Sequence, residues 1–297
     1  MNILHYDFMQ RALVAAALVG LVAPLIGVFL VQRRLALLGD GMGHVALMGV
    51  GLAFFFGSAP VPTALAAAAI GAVIIEIIRA RSRTAGDVAL ALIFYGGIAG
   101  GVMFTSLAGG KSSTALNQYL FGSLSTVGPS DLVALGIAVL VILGVLSILG
   151  REMFVLSLDS DLARTQGIRV TTISMVITVM AALAVVVGMR TVGLLLVSAI
   201  MIVPIAAAQQ LTRGFRTTAM AGALIGVLSC VFGLAGSFYL DVPPGPAIVF
   251  LALGFFGLCA VVAVPVRRRR RTTHEHGEAT PGTTQPTREI APSVVQP

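Results

Sequence analysis

Nine apolar stretches follow one another along the chain, at about 11–31, 35–57, 61–78, 87–108, 131–150, 170–189, 192–211, 218–240 and 247–266. Most approach the roughly 20 residues with which an α-helix crosses a 30 Å hydrocarbon core. Lipid offers no partner to a backbone N–H or C=O, so only helices and closed barrels can cross it. The stretches lack the alternation of a barrel strand. The pattern predicts an all-α integral membrane protein, a polytopic bundle of about nine transmembrane helices. Composition agrees: 57% of residues are hydrophobic and 10% are charged, against about 25% charged in a soluble domain. No soluble fold of this length buries so much apolar side chain, so much of the surface must face lipid.

A net charge of +7 raises the question of nucleic acid. The basic residues, however, lie in short clusters between apolar runs, as membrane orientation requires. With the N-terminus outside, the inner loops and tail hold Arg33, Arg34, Arg79, Arg81, Arg83, Arg151, Arg164, Arg169, Arg213, Arg216, the arginine run 267–271 and Arg288. Of the 19 basic residues only Arg11, Lys111 and Arg190 then fall outside. Basic residues favour the cytoplasmic side, so the expected topology is N-out and C-in.

One transmembrane domain, residues 1–266, accommodates all nine stretches. From 267 to 297 follow a basic run and a tail rich in Thr, Pro, Arg and Glu, with too little apolar surface to fold; a disordered cytoplasmic tail is expected. His274, His276 and the acids Glu275 and Glu278 in this tail invite a metal reading, but two histidines in a disordered segment bind weakly, and a solvated tail is the plainer expectation. Cys230 and Cys259 lie inside apolar segments and read as small packing residues. The first apolar run ends in Gln32-Arg33-Arg34 without an obvious cleavage site, so it is expected to remain as the first helix. Gly96/Gly100, Gly97/Gly101 and Gly222/Gly226 place glycines four apart on one helix face, where backbones can approach. Such faces serve packing within a subunit or between two.

Catalytic constellations are scarce. Gly110-Lys111-Ser112 imitates the end of a phosphate loop, but Thr105 stands where its first glycine belongs, and the segment falls on the outer side. Neither a His-Glu-x-x-His helix nor a Gly-x-Ser-x-Gly elbow occurs. The chain reads as no enzyme, and any ATPase must be another subunit.

The informative stretch is Gly39-Asp40-Gly41-Met42-Gly43-His44. In a helix opening near Leu35, His44 lies roughly 14 Å deep, close to mid-membrane. Asp40 is one turn shallower on the same face. A carboxylate and an imidazole at this depth line a pathway or satisfy each other. Together they offer one hard oxygen and one borderline nitrogen, a set suited to Zn²⁺, Mn²⁺ or Fe²⁺. The other buried acid, Glu76, lies one turn before Arg79, and snorkelling towards that arginine accounts for it.

The run from Arg34 to Asp40 and on to His44, then Gly49 and Leu52-Ala53, resembles the signature of ABC importer permeases for manganese, zinc and iron. Further similar stretches are Tyr119-Leu120-Phe121-Gly122-Ser123, Val192-Gly193 with Leu195-Leu196-Val197 leading to Pro204, Ala206 and Ala207, and Tyr239 with Pro244-Gly245-Pro246. They occur in order over about residues 11–266. The resemblance implies that Asp40 and His44 coordinate the transported metal. It departs from the family's habit at Gly41, Met42 and Gly43 and at Met48, where proline is usual. Alternating glycines weaken a helix, so a looser or broken helix is expected there.

The resemblance also implies that the inner loop between Arg151 and Arg169 holds the helix that docks on the ATPase. Its Ser157, Asp159, Ser160 and Asp161 supply caps, Ala163 lies within it, and Gly167 can end it. The implied assembly is a permease in a prokaryotic plasma membrane, paired with a second copy or close relative. A cytoplasmic ABC ATPase and an extracytoplasmic metal-binding protein complete it, with the divalent ion as substrate and no permanent cofactor. A permease for an iron–siderophore or cobalamin-like ligand and an ion-coupled secondary carrier are the alternatives.

Overall fold

The computed structural model describes residues 7–81, 86–109, 118–122, 128–189 and 192–275. Ten helices carry the fold: α1 (Asp7–Gln32), α2 (Ala36–Phe56), α3 (Pro60–Arg81), α4 (Gly86–Leu107), α5 (Pro129–Leu158), α6 (Ser160–Thr165), α7 (Val170–Gly188), α8 (Leu194–Leu211), α9 (Phe215–Leu240) and α10 (Pro244–Glu275). Among the described residues eight are long and apolar enough to cross a membrane; α8 is apolar but shorter over Leu196–Leu211. The predicted all-α bundle is therefore present. Cys230 and Cys259 are free and buried, as packing residues should be.

Burial separates the helices into an interior and a wall. Of the most apolar window, 72% is buried in α2 and 67% in α1, but only 17% in α4 and 22% in α10. The helices meet through glycine, because lipid gives them no hydrophobic reason to associate and close packing must hold them. A Cβ on Gly20 would lie 2.6 Å from the carbonyl oxygen of Gly226, so α1 and α9 touch backbone to backbone. A Cβ on Gly97 would lie 2.6 Å from the carbonyl carbon of His44, which binds α4 to α2 in the same way. The glycine pairs Gly97/Gly101 and Gly222/Gly226 thus pack inside the subunit, while Gly96 faces open space.

Two helices run further than their apolar stretches suggested. α5 continues through Gly150 and Arg151 to Leu158, so the loop expected to begin at Arg151 begins at Asp159. α10 continues through the arginine run to Glu275. Leaving the hydrocarbon does not end a helix; arginine is a good helix former. His276 and the tail beyond it, like Lys111 and Ser112, lie outside the described residues.

Between α5 and α7 the short α6 forms as its sequence suggests. The Asp159 carboxylate accepts from the amides of Asp161 (2.7 Å) and Leu162 (3.4 Å), the work of an N-cap. Gly167, at φ +76°, ends it, and the Ile168 amide reaches back to the Ala163 carbonyl at 3.0 Å. Ala163 itself is wholly buried. It shares an apolar cluster with Val28 and Phe29 of α1, Met153 and Leu156 of α5, Ile173 and Ile177 of α7 and Ile205 of α8.

At the opposite end, three of the stretches singled out in the sequence converge. A Cβ on Gly193 (φ +94°) would fall 2.5 Å from the Phe121 carbonyl carbon, and one on Gly245 would meet Leu196 and the carbonyls of Val192 and Phe121. The segment 118–122 is thus pressed, backbone on backbone, against the first turns of α8 and α10. Tyr119 also reaches Phe54 of α2, with ring centroids 6.3 Å apart. Gly193→Ala is expected to lose about 1–3 kcal/mol of stability through forced left-handed backbone and contact with Phe121. Gly236→Ala, in a helix with nothing within 4 Å of its Cβ, should gain up to about 1 kcal/mol. Thermal unfolding of the two variants in detergent measures the contrast.

Candidate metal-ion site

The connection from α1 to α2 is a tight turn. The Leu35 amide donates to the Leu30 carbonyl at 2.8 Å, and Arg34 takes the left-handed conformation at φ 58°. α2 then starts at Ala36, which puts His44 about 12 Å along its axis and near the middle of its length. The helix is continuous from Ala36 to Phe56 despite its glycines, so the break or loosening expected from Gly41 and Gly43 is absent. Packing overrides propensity. A Cβ on Gly43 would lie 2.8 Å from Leu194 Cδ1, one on Gly41 3.0 Å from Leu90 Cδ1, and one on Gly39 3.3 Å from Met201 Sδ. Neighbouring helices occupy the space that side chains would take.

Asp40 and His44 share one face of α2 as predicted. His44 Nε2 stands 3.8 Å from Asp40 Oδ1, beyond hydrogen-bond reach. His44 is 6% exposed, and its Nδ1 is buried with no hydrogen-bond partner. Its ring meets the edge of Phe94 from α4, centroids 4.4 Å apart. Asp40 is more open, its side chain 31% exposed, and accepts a 3.4 Å hydrogen bond from Ser198 Oγ of α8. A mutually satisfied Asp–His pair would have closed the Nε2–Oδ1 gap. A buried polar atom without a partner is costly, by about 1–3 kcal/mol. The carboxylate and the imidazole thus share a face without satisfying each other.

Ser198 was not legible as a site residue. It directly follows the run Leu195-Leu196-Val197, and a serine in an apolar helix carries no signal of its own. Among the described residues no group of three or more His, Cys, Asp or Glu could hold a metal. One subunit offers a carboxylate, an imidazole and a hydroxyl.

Glu76 is paired as expected. Arg79 Nη1 donates to Glu76 Oε2 at 3.0 Å, and Thr178 of α7 donates weakly to the same oxygen at 3.5 Å. The carboxylate does not snorkel, since Glu76 is only 5% exposed; the arginine comes to it. A cavity of about 310 Å³, lined by Arg33, Arg34, Leu38, Arg79 and Leu90, opens at this end of α2.

The sequence pattern of the ABC 3 transport family matches residues 5–263. The chain belongs to the ABC 3 transport family. It is 32% identical over 268 residues to the manganese transport system membrane protein MntC of Listeria innocua, a match covering 88% of this chain and 93% of that one. It is 30% identical over 273 residues to the manganese import system permease protein ScaB of Streptococcus parasanguinis, covering 92% and 96%. Among solved structures, a chain of PsaBC from Streptococcus pneumoniae in complex with Fab superposes with a TM-score of 0.78 at 29% identity, over 87% of this chain and 92% of that. The segment 118–122, the α8 start and the α10 start all lie inside the matched span. So do Asp40, His44 and Ser198. Membership of this family sets aside the reading as an ion-coupled secondary carrier.

Proposed function

We propose that this ABC 3 permease carries a divalent transition metal ion inward across a prokaryotic plasma membrane, with Asp40 and His44 as its ligands. Manganese is the first candidate, since MntC and ScaB are named for it; zinc and iron suit the same donors. The observation that carries the reading is the unsatisfied pair at mid-helix: 3.8 Å apart, one nitrogen orphaned, one carboxylate partly open. Asp40 supplies charge to offset a dication, and neutral His44 supplies a nitrogen. Ser198 holds the carboxylate until the ion takes its place. Divalent ions want four to six donors, and one chain falls short. A second copy facing the first would double the set to two carboxylates and two imidazoles.

Orientation follows from the basic residues and is N-out, C-in. Cysteines introduced singly at the exposed Ser58 and Asp241 should react with impermeant maleimide added to whole cells. Those at the exposed Gln166 and Arg213 should react only after the membrane is opened. The opposite pattern would reverse the topology.

α6 is the element proposed to meet a cytoplasmic ABC ATPase. Ala163 roots it in the bundle, Asp159 and Gly167 bound it, and Asp161 faces solvent with Arg164 at 3.5 Å. Leu162, 46% exposed, is the apolar knob left for a partner. Leu162→Glu should weaken ATPase association about tenfold at unchanged folded yield, whereas Ala163→Glu should lower the yield itself. Co-purification against permease abundance distinguishes the two. An extracytoplasmic metal-binding protein would deliver the ion at the end carrying segment 118–122.

The site is tested by uptake. Asp40→Asn and His44→Ala should each reduce ⁵⁴Mn²⁺ uptake into vesicles holding the complete transporter by at least about tenfold, with inserted permease unchanged. Ser198→Ala should change uptake less and fold normally, since polar contacts between membrane helices average about 0.6 kcal/mol. Normal uptake per inserted complex in both the Asp40 and His44 variants would remove these residues from the pathway.

A further inference from the structure

At the end of the bundle where α6 lies, a groove of about 740 Å³ opens between α1, α5 and α9. Its floor is apolar, formed by Leu25, Val28, Phe29, Leu146 and Phe154. Phe215 closes it, with its ring 5.1 Å from that of Phe29 and 4.6 Å from that of Phe154. The wall also holds two arginines, Arg151 from α5 and Arg216 from the first turn of α9. Both are exposed, and neither has a carboxylate partner among the described residues. The two hydroxyls at the wall are already committed, Ser147 to the Gly144 carbonyl at 2.7 Å and Thr217 to the Gly214 carbonyl at 2.8 Å. No side chain caps α9, so its first amides add to the same positive field.

We propose that this groove binds one anionic phospholipid, its acyl chain along the phenylalanine floor and its phosphate between Arg151 and Arg216. The volume is that of a ligand pocket. The chemistry is amphipathic in the sense a lipid requires, apolar along its length and cationic at one end. Basic pockets between transmembrane helices recognise anionic headgroups in this way. A lone snorkelling arginine would need no groove; two guanidiniums over one apolar trough specify more than depth. The site has a structural consequence, because Val28 and Phe29 in its floor belong to the apolar cluster that holds Ala163 and thus α6. A bound chain would brace that cluster from outside.

The chain has no tryptophan, so Phe154→Trp creates a single indole reporter in the groove. In nanodiscs of phosphatidylcholine, brominated phosphatidylglycerol should quench it with a relative affinity about 30-fold above that of brominated phosphatidylcholine, at about fivefold per guanidinium. Adding R151Q and R216Q should erase the preference. A reporter at Phe250→Trp, on the lipid-facing side of α10 and 82% exposed at present, should show none. Equal quenching by both lipids in the groove, or a preference that survives loss of both arginines, would overturn the site. Should the Phe154 variant fail to insert, mass spectrometry of the unsubstituted chain and of R151Q/R216Q decides: phosphatidylglycerol retained by the first and lost by the second supports the site, and equal retention refutes it. Loss of quenching when the reporter chain is purified from its own membranes with proteins still attached would show that a protein fills the groove, and would also overturn the proposal.

Discussion

In hydrocarbon a helix satisfies its own backbone, and lipid tails solvate apolar side chains as well as another helix does, so contact must come from shape. In this chain shape means the removal of Cβ atoms at chosen points. Gly97 against the backbone of His44 is the contact from which the site follows. It brings α4 close enough for Phe94 to meet the imidazole edge at 4.4 Å. Gly39 and Gly43 let α8 in from another side, with Met201 and Leu194 in the space their side chains would occupy. Asp40 and His44 are thus held by neighbours that reach them only because α2 is nearly bare where they stand.

The crossings were legible because lipid imposes length and polarity together, and nothing else in a sequence mimics nine such stretches in series. Asp40 and His44 stood out for the same reason: ionisable groups in mid-membrane are expensive. The glycines around them misled. Read by propensity they predicted a weak helix, whereas the structure spends them on close approach and keeps α2 continuous. Ser198 was invisible, since a serine in an apolar helix has no periodicity to disturb. The length of α5 was also hidden. Arg151 and Glu152 read as the beginning of a loop, but polarity marks where the hydrocarbon ends and says little about where a helix does.

Ala163 shows the difference between a residue inside a functional element and one on its surface. Sequence places it in the middle of the capped stretch, and the structure turns it inward to 0% exposure while Leu162 points out at 46%. At one-turn length a helix has room for one root and one knob, and only packing shows which is which.

That root has a mechanical meaning. The cluster around Ala163 draws on α1, α5, α7 and α8 and on none of α2, α3 or α4. α6 is therefore founded on one group of helices, while the helix bearing Asp40 and His44 belongs to another. Two helices join these groups: α7, whose Thr178 reaches Glu76 of α3, and α8, which sends Ile205 into the cluster and, two turns away, Ser198 to the Asp40 carboxylate. Within fewer than 20 residues α8 thus serves two masters, one side chain seated in the foundation of α6 and one hydroxyl resting on the carboxylate beside His44.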